Sequence, residues 1–527
     1  MAPAMNSSAA PRQLIIGLDA MEWDLVRKWA AAGKLPTFDR LMREGTQAEL
    51  STVADRLPDT AWDCLCSGLN PAHFARYFYV QHDPETGGMR SMPDDSCGPK
   101  YFWDRLSEAG RRVGVLDVPH ISASEQLNGF QISWGTHAAH GPRFSTPVSL
   151  LHEVDQRFGR HPVGECDAVS SERGKKALRL RLLKGVRVHG ELFRHCIAER
   201  DWETLIAVFA AAHCAGHIYW HDMNPAHPRH DPGNRHQIAD TIEEVYRAID
   251  REVGSMIEAA GPGVRVYAVS AHGMGPLYHA SWNLQDMLDD WGYGMESNHP
   301  HRAEELREGS INFWRILRMI VPGRLQYATY AALPRRLQHE LVFRFYRGNR
   351  SWDQCRAFAV PNNDAVGAIR INLKGRDRAG IVEPGAEYEQ VCIDICAALA
   401  ELKDPVSGRQ VVKYISRIQT ELHGPYLDRL PDITARWDAS FPWSSVHSPR
   451  FGTIQLRDQD FRTGSHTAHG FLIATGDGIP RAATISGASI YDIVPTIMED
   501  VGVRPPAGCE GRPLFGTNDK LKGAAGP

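Results

Sequence analysis

Short apolar runs separated by helix-length amphipathic stretches organise most of this chain. Residues 14–18, Leu-Ile-Ile-Gly-Leu, form one such run and end in Asp19. A continuous run of this length suits a parallel strand buried on both faces. A helical pattern follows from Trp23 to Ala31 and stops at Gly33, with Pro36 beyond. Further apolar runs lie at 113–118, 205–210, 264–270 and 471–474, with helix-like stretches at 101–110, 172–198, 237–259 and 488–502 between them. Strands alternating with helices predict an α/β protein built on a mainly parallel sheet.

The middle of the chain departs from this rhythm. Residues 302–350 hold ten Arg and four Asp/Glu among aromatics such as Phe313, Trp314, Tyr327 and Tyr330, at helical spacing broken by Pro322 and Pro334. This predicts a packed helical cap, with an anionic membrane surface or an active-site lid as the other readings. Residues 357–436 read as a small α+β unit, with an alternating strand at 368–373 and a helix at 386–402. Residues 281–436 are therefore expected as an insertion. The main sheet would span 14–280 and resume over 437–515, with flexible ends at 1–13 and 516–527.

Composition narrows the function classes. The 527 residues carry 59 basic and 63 acidic side chains, a net charge of −4, with 43% apolar and 23% charged residues. That is globular composition, not disordered or fibrous, and the slight acidity argues against a nucleic-acid polymer as partner. No run of about 18 uncharged apolar residues occurs, so no membrane span is expected. The first 13 residues lack the apolar stretch of a secretion signal, and the ten cysteines form no CxxC pair, which predicts free thiols and a cytoplasmic location.

In open α/β sheets the chemistry gathers beyond the carboxyl ends of the strands. Asp19 ends the first apolar run, His213 and His217 follow the run at 205–210, His272 follows 264–270, and His466 lies in a Gly-rich turn just before 471–474. His213 and His217 stand four apart, a spacing that aims two imidazoles at one metal if the segment is helical. One carboxylate and four imidazoles suit a divalent cation, zinc foremost, with manganese as the alternative. Arg370, Lys374 and Arg376 fall on one face of the alternating strand and are candidates for a substrate phosphate. A merely solvated face is the simpler reading of that alternation.

The ordered set resembles the alkaline phosphatase superfamily, in its type I phosphodiesterase/nucleotide pyrophosphatase branch. LIIGLDAMEWDLVRKWAAAGKLPTFDRLMREG resembles the branch's first strand, metal-binding Asp and following helix. LPDTAWDCLCSGLNPAHFARYFY resembles its nucleophile segment, and AHCAGHIYWHD, VSAHGMGP and GSHTAHGFLIATGDGIP resemble three metal segments in family order. The resemblance implies a three-layer α/β/α sandwich with an inserted α+β cap, and two metal ions beside a Ser/Thr nucleophile. It implies Asp19, Thr60 and His272 at one metal, His217 and His466 at the other, and Thr60 as nucleophile.

Three departures stand out. The family's metal Asp four residues before His217 is His213 here, and the Asp before His272 is Ala271. The interval from Thr60 to Ser67-Gly68 is two residues shorter than the usual pattern, which leaves Ser51 or Thr52 as alternative nucleophiles. His213, His217 and His466 would then form a three-imidazole site with an open fourth position. The expected function is hydrolysis of a phosphodiester or nucleotide-type pyrophosphate, with a small anionic phosphate-containing substrate. The alternatives are a sulfate or phosphonate ester hydrolase on the same scaffold, or a catalytically decayed anion-binding or scaffold protein.

Overall fold

A computed structural model describes residues 12–91, 98–135, 143–163, 166, 169, 171–234, 238–278, 280–294, 337, 352–456 and 462–515. The expected terminal tails, apart from residues 12 and 13, and the basic aromatic stretch 302–350, apart from Leu337, lie outside the described residues. No described helix is long and apolar enough to cross a membrane.

The apolar runs assemble into a nine-stranded mixed sheet. Its spatial order is Ala483–Ser489, Thr46–Ser51, His469–Thr475, Arg265–Ser270, Gln13–Leu18, Thr204–Phe209, Val113–Leu116, Gly129–Ser133 and Phe144–Thr146. The central strands 265–270, 13–18, 204–209 and 113–116 run parallel, as their unbroken apolar sequences require. The 469–475 strand enters antiparallel between 265–270 and 46–51.

Successive side chains of the first strand face opposite layers. Leu14, Ile16 and Leu18 pack with helices Trp23–Ala31, Pro36–Glu44, Glu172–Glu199, Ala211–Met223 and Thr241–Ala260. Ile15 faces the other way, with Ile206 and Val208, toward helices Ala61–Ser67, Phe102–Glu108 and Ile493–Asp500. The result is the three-layer α/β/α sandwich the sequence predicts.

A second sheet of four antiparallel strands, in the order Ala357–Val360, Val366–Ile371, Ile433–Trp437, Val412–Arg417, carries helix Ala386–Ala400. Ile369, Ile371, Ile433 and Ala435 pack with that helix. Phe358, Val360 and Ala368 pack into the core beneath the large sheet. The second sheet is thus seated on the first, and its residues reach the ends of the central strands.

Candidate metal centre

Parallel neighbours end side by side, so the carboxyl ends of strands 13–18, 204–209 and 265–270 deliver their following residues to one place. Asp19 follows the first strand. Helix Ala211–Met223 starts after the second and carries His213 and His217 on one face. His272 follows the third. His466 arrives on the short strand Gly464–Thr467, which pairs antiparallel with Gly273–Pro276 and sets His466 opposite Met274. Asp19, His213, His217, His272 and His466 are all buried.

One ring nitrogen from each of His213, His217 and His466 lies within 4.8 Å of the other two. His213 Nε2 stands 2.7 Å from His217 Nε2 and 2.8 Å from His466 Nε2. The outer nitrogens are held from behind. His217 Nδ1 lies 2.7 Å from the Gly464 carbonyl, and His213 Nδ1 lies 3.2 Å from Asp19 Oδ2. An Nδ1–H donated to a carbonyl or carboxylate turns the bare Nε2 lone pair inward, the arrangement that orients imidazoles on a metal. Three inward nitrogens cannot all be satisfied by one another, because each pair needs a proton between them. A divalent cation fits this donor set, and His213, His217 and His466 are the residues that would hold it.

His272 flanks this trio, its ring centroid 4.1 Å from that of His466 and its Nε2 3.6 Å from Asp19 Oδ1. Burial first, then the imidazoles of His272, His213 and His217, hold His466 well below the ordinary imidazole range. His466 is therefore neutral at pH 7, the form that ligates. Ala271 is fully buried among apolar side chains, and its methyl group offers no ligand in place of the carboxylate.

Thr60, the expected nucleophile, bonds locally. It stands at the entrance of helix Ala61–Ser67, fully buried, and its hydroxyl donates to the Leu57 carbonyl at 2.7 Å. Its segment touches the centre through Trp62, whose indole N–H donates to Asp19 Oδ1 at 2.8 Å. That contact needs Gly17, since a Cβ there would lie 2.5 Å from Val208 and 2.7 Å from the Trp62 ring. Ser51 and Thr52 have local partners as well. Ser51 Oγ donates to the Ala488 carbonyl at 3.2 Å, and Thr52 Oγ1 accepts from Ala54 N–H at 3.1 Å.

The expected phosphate contacts from Arg370, Lys374 and Arg376 are corrected. The strand ends at Ile371, and the chain turns back at Gly375, whose φ is +81°. Arg370 donates to Asp377 Oδ1 at 2.5 Å and to the Leu430 and Asp428 carbonyls, both at 2.9 Å. Arg376 forks onto Asp432 at 2.6 and 2.8 Å, and Lys374 pairs with Glu383. These cations face carboxylates of their own unit, which alternation along a strand cannot reveal.

Sequence reasoning missed three neighbours of the centre. Glu22 is buried, and its Oε2 accepts from Met274 N–H and Thr467 Oγ1, both at 2.9 Å, tying together the two strands that flank His272 and His466. Burial, outweighing these hydrogen bonds, raises its carboxyl above the usual range. Asn363 Nδ2 lies 3.3 Å from His466 Nδ1, and Arg436 Nη2 donates to the His466 carbonyl at 2.6 Å. A carboxylate three residues past Asp19 in an apolar setting was a readable signal for Glu22. Asn363 and Arg436 come from the second sheet and carry no local signal.

Residues 13–467 match the family model described as type I phosphodiesterase/nucleotide pyrophosphatase. The chain belongs to this family. It is accordingly a hydrolase of the phosphoric ester class, and metal dependence is typical of the family. No curated protein matches it by sequence. Among solved structures, human ectonucleotide pyrophosphatase/phosphodiesterase 5 is 11% identical over 94% of this chain and 96% of its own, with a TM-score of 0.49. An inactive variant of the murine protein in complex with AMP is 12% identical over 94% and 96%, with a TM-score of 0.48. Phosphonoacetate hydrolase from Sinorhizobium meliloti 1021, in complex with phosphonoformate, is 14% identical over 92% and 94%, with a TM-score of 0.48. The membership rests on the family model.

Proposed function

We propose that this member hydrolyses a small anionic phosphodiester or nucleotide-type pyrophosphate at a centre where His213, His217 and His466 hold one divalent cation, zinc foremost. The observation that carries this reading is the convergence of three imidazole nitrogens within 4.8 Å, two of them oriented from behind by Asp19 and Gly464. When bound there, a divalent cation supplies Lewis acidity and neutralises charge on phosphoryl oxygens.

The protein's own residues do the rest. Asp19 faces both His213 and His272 and fixes their rings, while Trp62 holds its Oδ1 in place. Glu22 and Arg436 lock the strands that carry His272 and His466. With Ala271 and His213 in place of two carboxylates, the centre is about two charges more positive than the family pattern implies, which favours a richly anionic substrate. The Thr60 hydroxyl is turned into its own helix entrance, so water is the nucleophile this geometry supports best.

The test is hydrolysis of bis(p-nitrophenyl) phosphate and of a dinucleoside pyrophosphate by zinc-loaded protein, with the variants His217→Ala and Thr60→Val. The reading expects His217→Ala to lose turnover while folded and Thr60→Val to keep it. Loss of turnover and of a trapped phospho-threonine in Thr60→Val would restore Thr60 as nucleophile. Absence of turnover in the wild type, with phosphate-ester binding retained, would favour an anion-binding protein.

A further inference from the structure

We infer a second divalent-cation site, formed by His73, His423 and Glu510, at a junction of three chain segments away from the histidine centre. His73 closes the 3-10 turn Pro71–His73 that follows helix Ala61–Ser67. His423 lies in the loop after the short helix Ile418–Glu421 of the second-sheet unit. Glu510 belongs to the segment after the last helix, Ile493–Asp500. One ligand atom from each of the three lies within 4.8 Å of the other two.

The junction is built, not incidental. Tyr426 N–H donates to the Ala72 carbonyl at 2.8 Å, and Glu510 N–H donates to the Gly68 carbonyl at 3.0 Å, so backbone bonds register all three segments. Asn70 is fully buried at their centre. Its Oδ1 accepts from Ala72 N–H at 2.9 Å, while its Nδ2 donates to the His423 carbonyl at 3.0 Å and to Glu510 Oε1. The carboxylate is thereby steered toward the two imidazoles, whose rings stand edge to face at 6.1 Å.

A second observation points to a ligand. His73 Nε2 is shielded from solvent and has no hydrogen-bond partner among the described residues. A buried polar nitrogen left so is costly, and a cation between the three side chains would satisfy it. Two imidazoles and one carboxylate are a zinc-type donor set. His423 and Glu510 are exposed, which leaves room for water at the remaining position. An ion here would fasten the turn behind helix 61–67, the second-sheet unit and the carboxyl-terminal segment to one another.

The test uses the full chain, stripped of metal and re-equilibrated with zinc against a competing chelator of micromolar affinity. Zinc per chain is read by elemental mass spectrometry, and the thermal midpoint is followed with and without zinc. His423→Ala and Glu510→Gln should each retain one zinc fewer than the wild type. His217→Ala should lose a different zinc and still show a midpoint raised by zinc, a rise that the double variant His217→Ala/His423→Ala lacks. Glu510→Gln keeps an acceptor for Asn70, so it decides the matter if His423→Ala does not fold. Wild-type zinc retention in either single variant that folds would overturn the proposal.

Discussion

The buried polar assembly beside the second sheet and the one at the histidine centre are built on opposite rules. In the second sheet, Arg370, Arg376, Asp377 and Asp432 are nearly or fully withdrawn from water. Each guanidinium meets a carboxylate, and the same carboxylate oxygens also accept from Ile371 N–H at 2.7 Å, Leu373 N–H at 3.1 Å and Tyr388 Oη at 2.8 Å. Charge and hydrogen bonding close on themselves. At the histidine centre, Asp19 faces two of the four imidazoles, His213 and His272, and one nitrogen from each of His213, His217 and His466 lies within 4.8 Å of the other two. Burial and titratable side chains are common to both. What separates a site from a strut is whether the donors and acceptors are already used up.

The sharpest way to break this contrast is to remove one member from each assembly. His217→Ala should cut phosphodiester turnover by about three orders of magnitude, since a lost metal contribution of ~4 kcal/mol in the transition state corresponds to that factor. Far-UV dichroism should stay unchanged, because the 211–223 helix keeps its apolar packing. Asp432→Asn should do the reverse. It leaves two buried guanidiniums, Arg370 and Arg376, sharing Asp377 alone and should cost ~3–5 kcal/mol of stability by urea titration, with per-molecule activity of the folded fraction retained. If Asp432→Asn abolished turnover without loss of stability, the second sheet would be part of the chemistry.

The sequence was most legible where chain and structure share a simple rule. Buried parallel strands read as unbroken apolar runs, so the four central strands were found to within two residues at each end. The rule that ligands collect at carboxyl ends then located Asp19, His213, His217, His272 and His466, which the structure brings together. The outer strands were not legible. Thr46–Ser51 alternates buried and less buried positions in a polar sequence, and Ala483–Ser489 buries only Ala488 and is interrupted by Gly487. Part of the predicted 488–502 helix is in fact the end of that strand, with the helix over Ile493–Asp500. Arg370 was misread for a physical reason: periodicity reports which way a side chain points, not whether a carboxylate waits there. Arg436 and Asn363 were invisible because their link to His466 spans two sheets.

Restoring the missing carboxylate sharpens the comparison from the other side. Ala271→Asp places an acid at a fully buried position beside His272. Without metal it should destabilise the fold by ~1–3 kcal/mol, the usual cost of an unsatisfied buried polar group. With zinc or manganese added, the loss should be recovered, and the variant should retain one more ion per chain than the wild type. Unfolding midpoints with and without metal, together with elemental analysis, check both halves. A deficit that metal does not repair would mean that position 271 no longer faces a cation.

The smallest effect concerns buried imidazoles outside the centre. Burial, then the neighbouring His189, pushes His161 down to about 3. Its Nδ1 lies 3.1 Å from the Val163 carbonyl, and its ring stacks on His189 at 4.3 Å. In the unfolded chain the same imidazole titrates near 6.5. Between those values the unfolded state binds the extra proton, so this group's share of stability is present above pH 6.5 and is lost progressively as pH falls toward 3. For one such group the slope is at most ~1.4 kcal/mol per pH unit. His161→Phe keeps the stack and removes the proton site. Its urea midpoint should start near or slightly below the wild type at pH 7 and gain on it steadily down to pH 4.5. Zinc should leave that gain unchanged, because His161 lies outside the cluster of Nε2 atoms. A constant difference across the pH range would show that His161 takes up its proton as readily in the fold as in the unfolded chain, so that burial beside His189 does not hold it neutral.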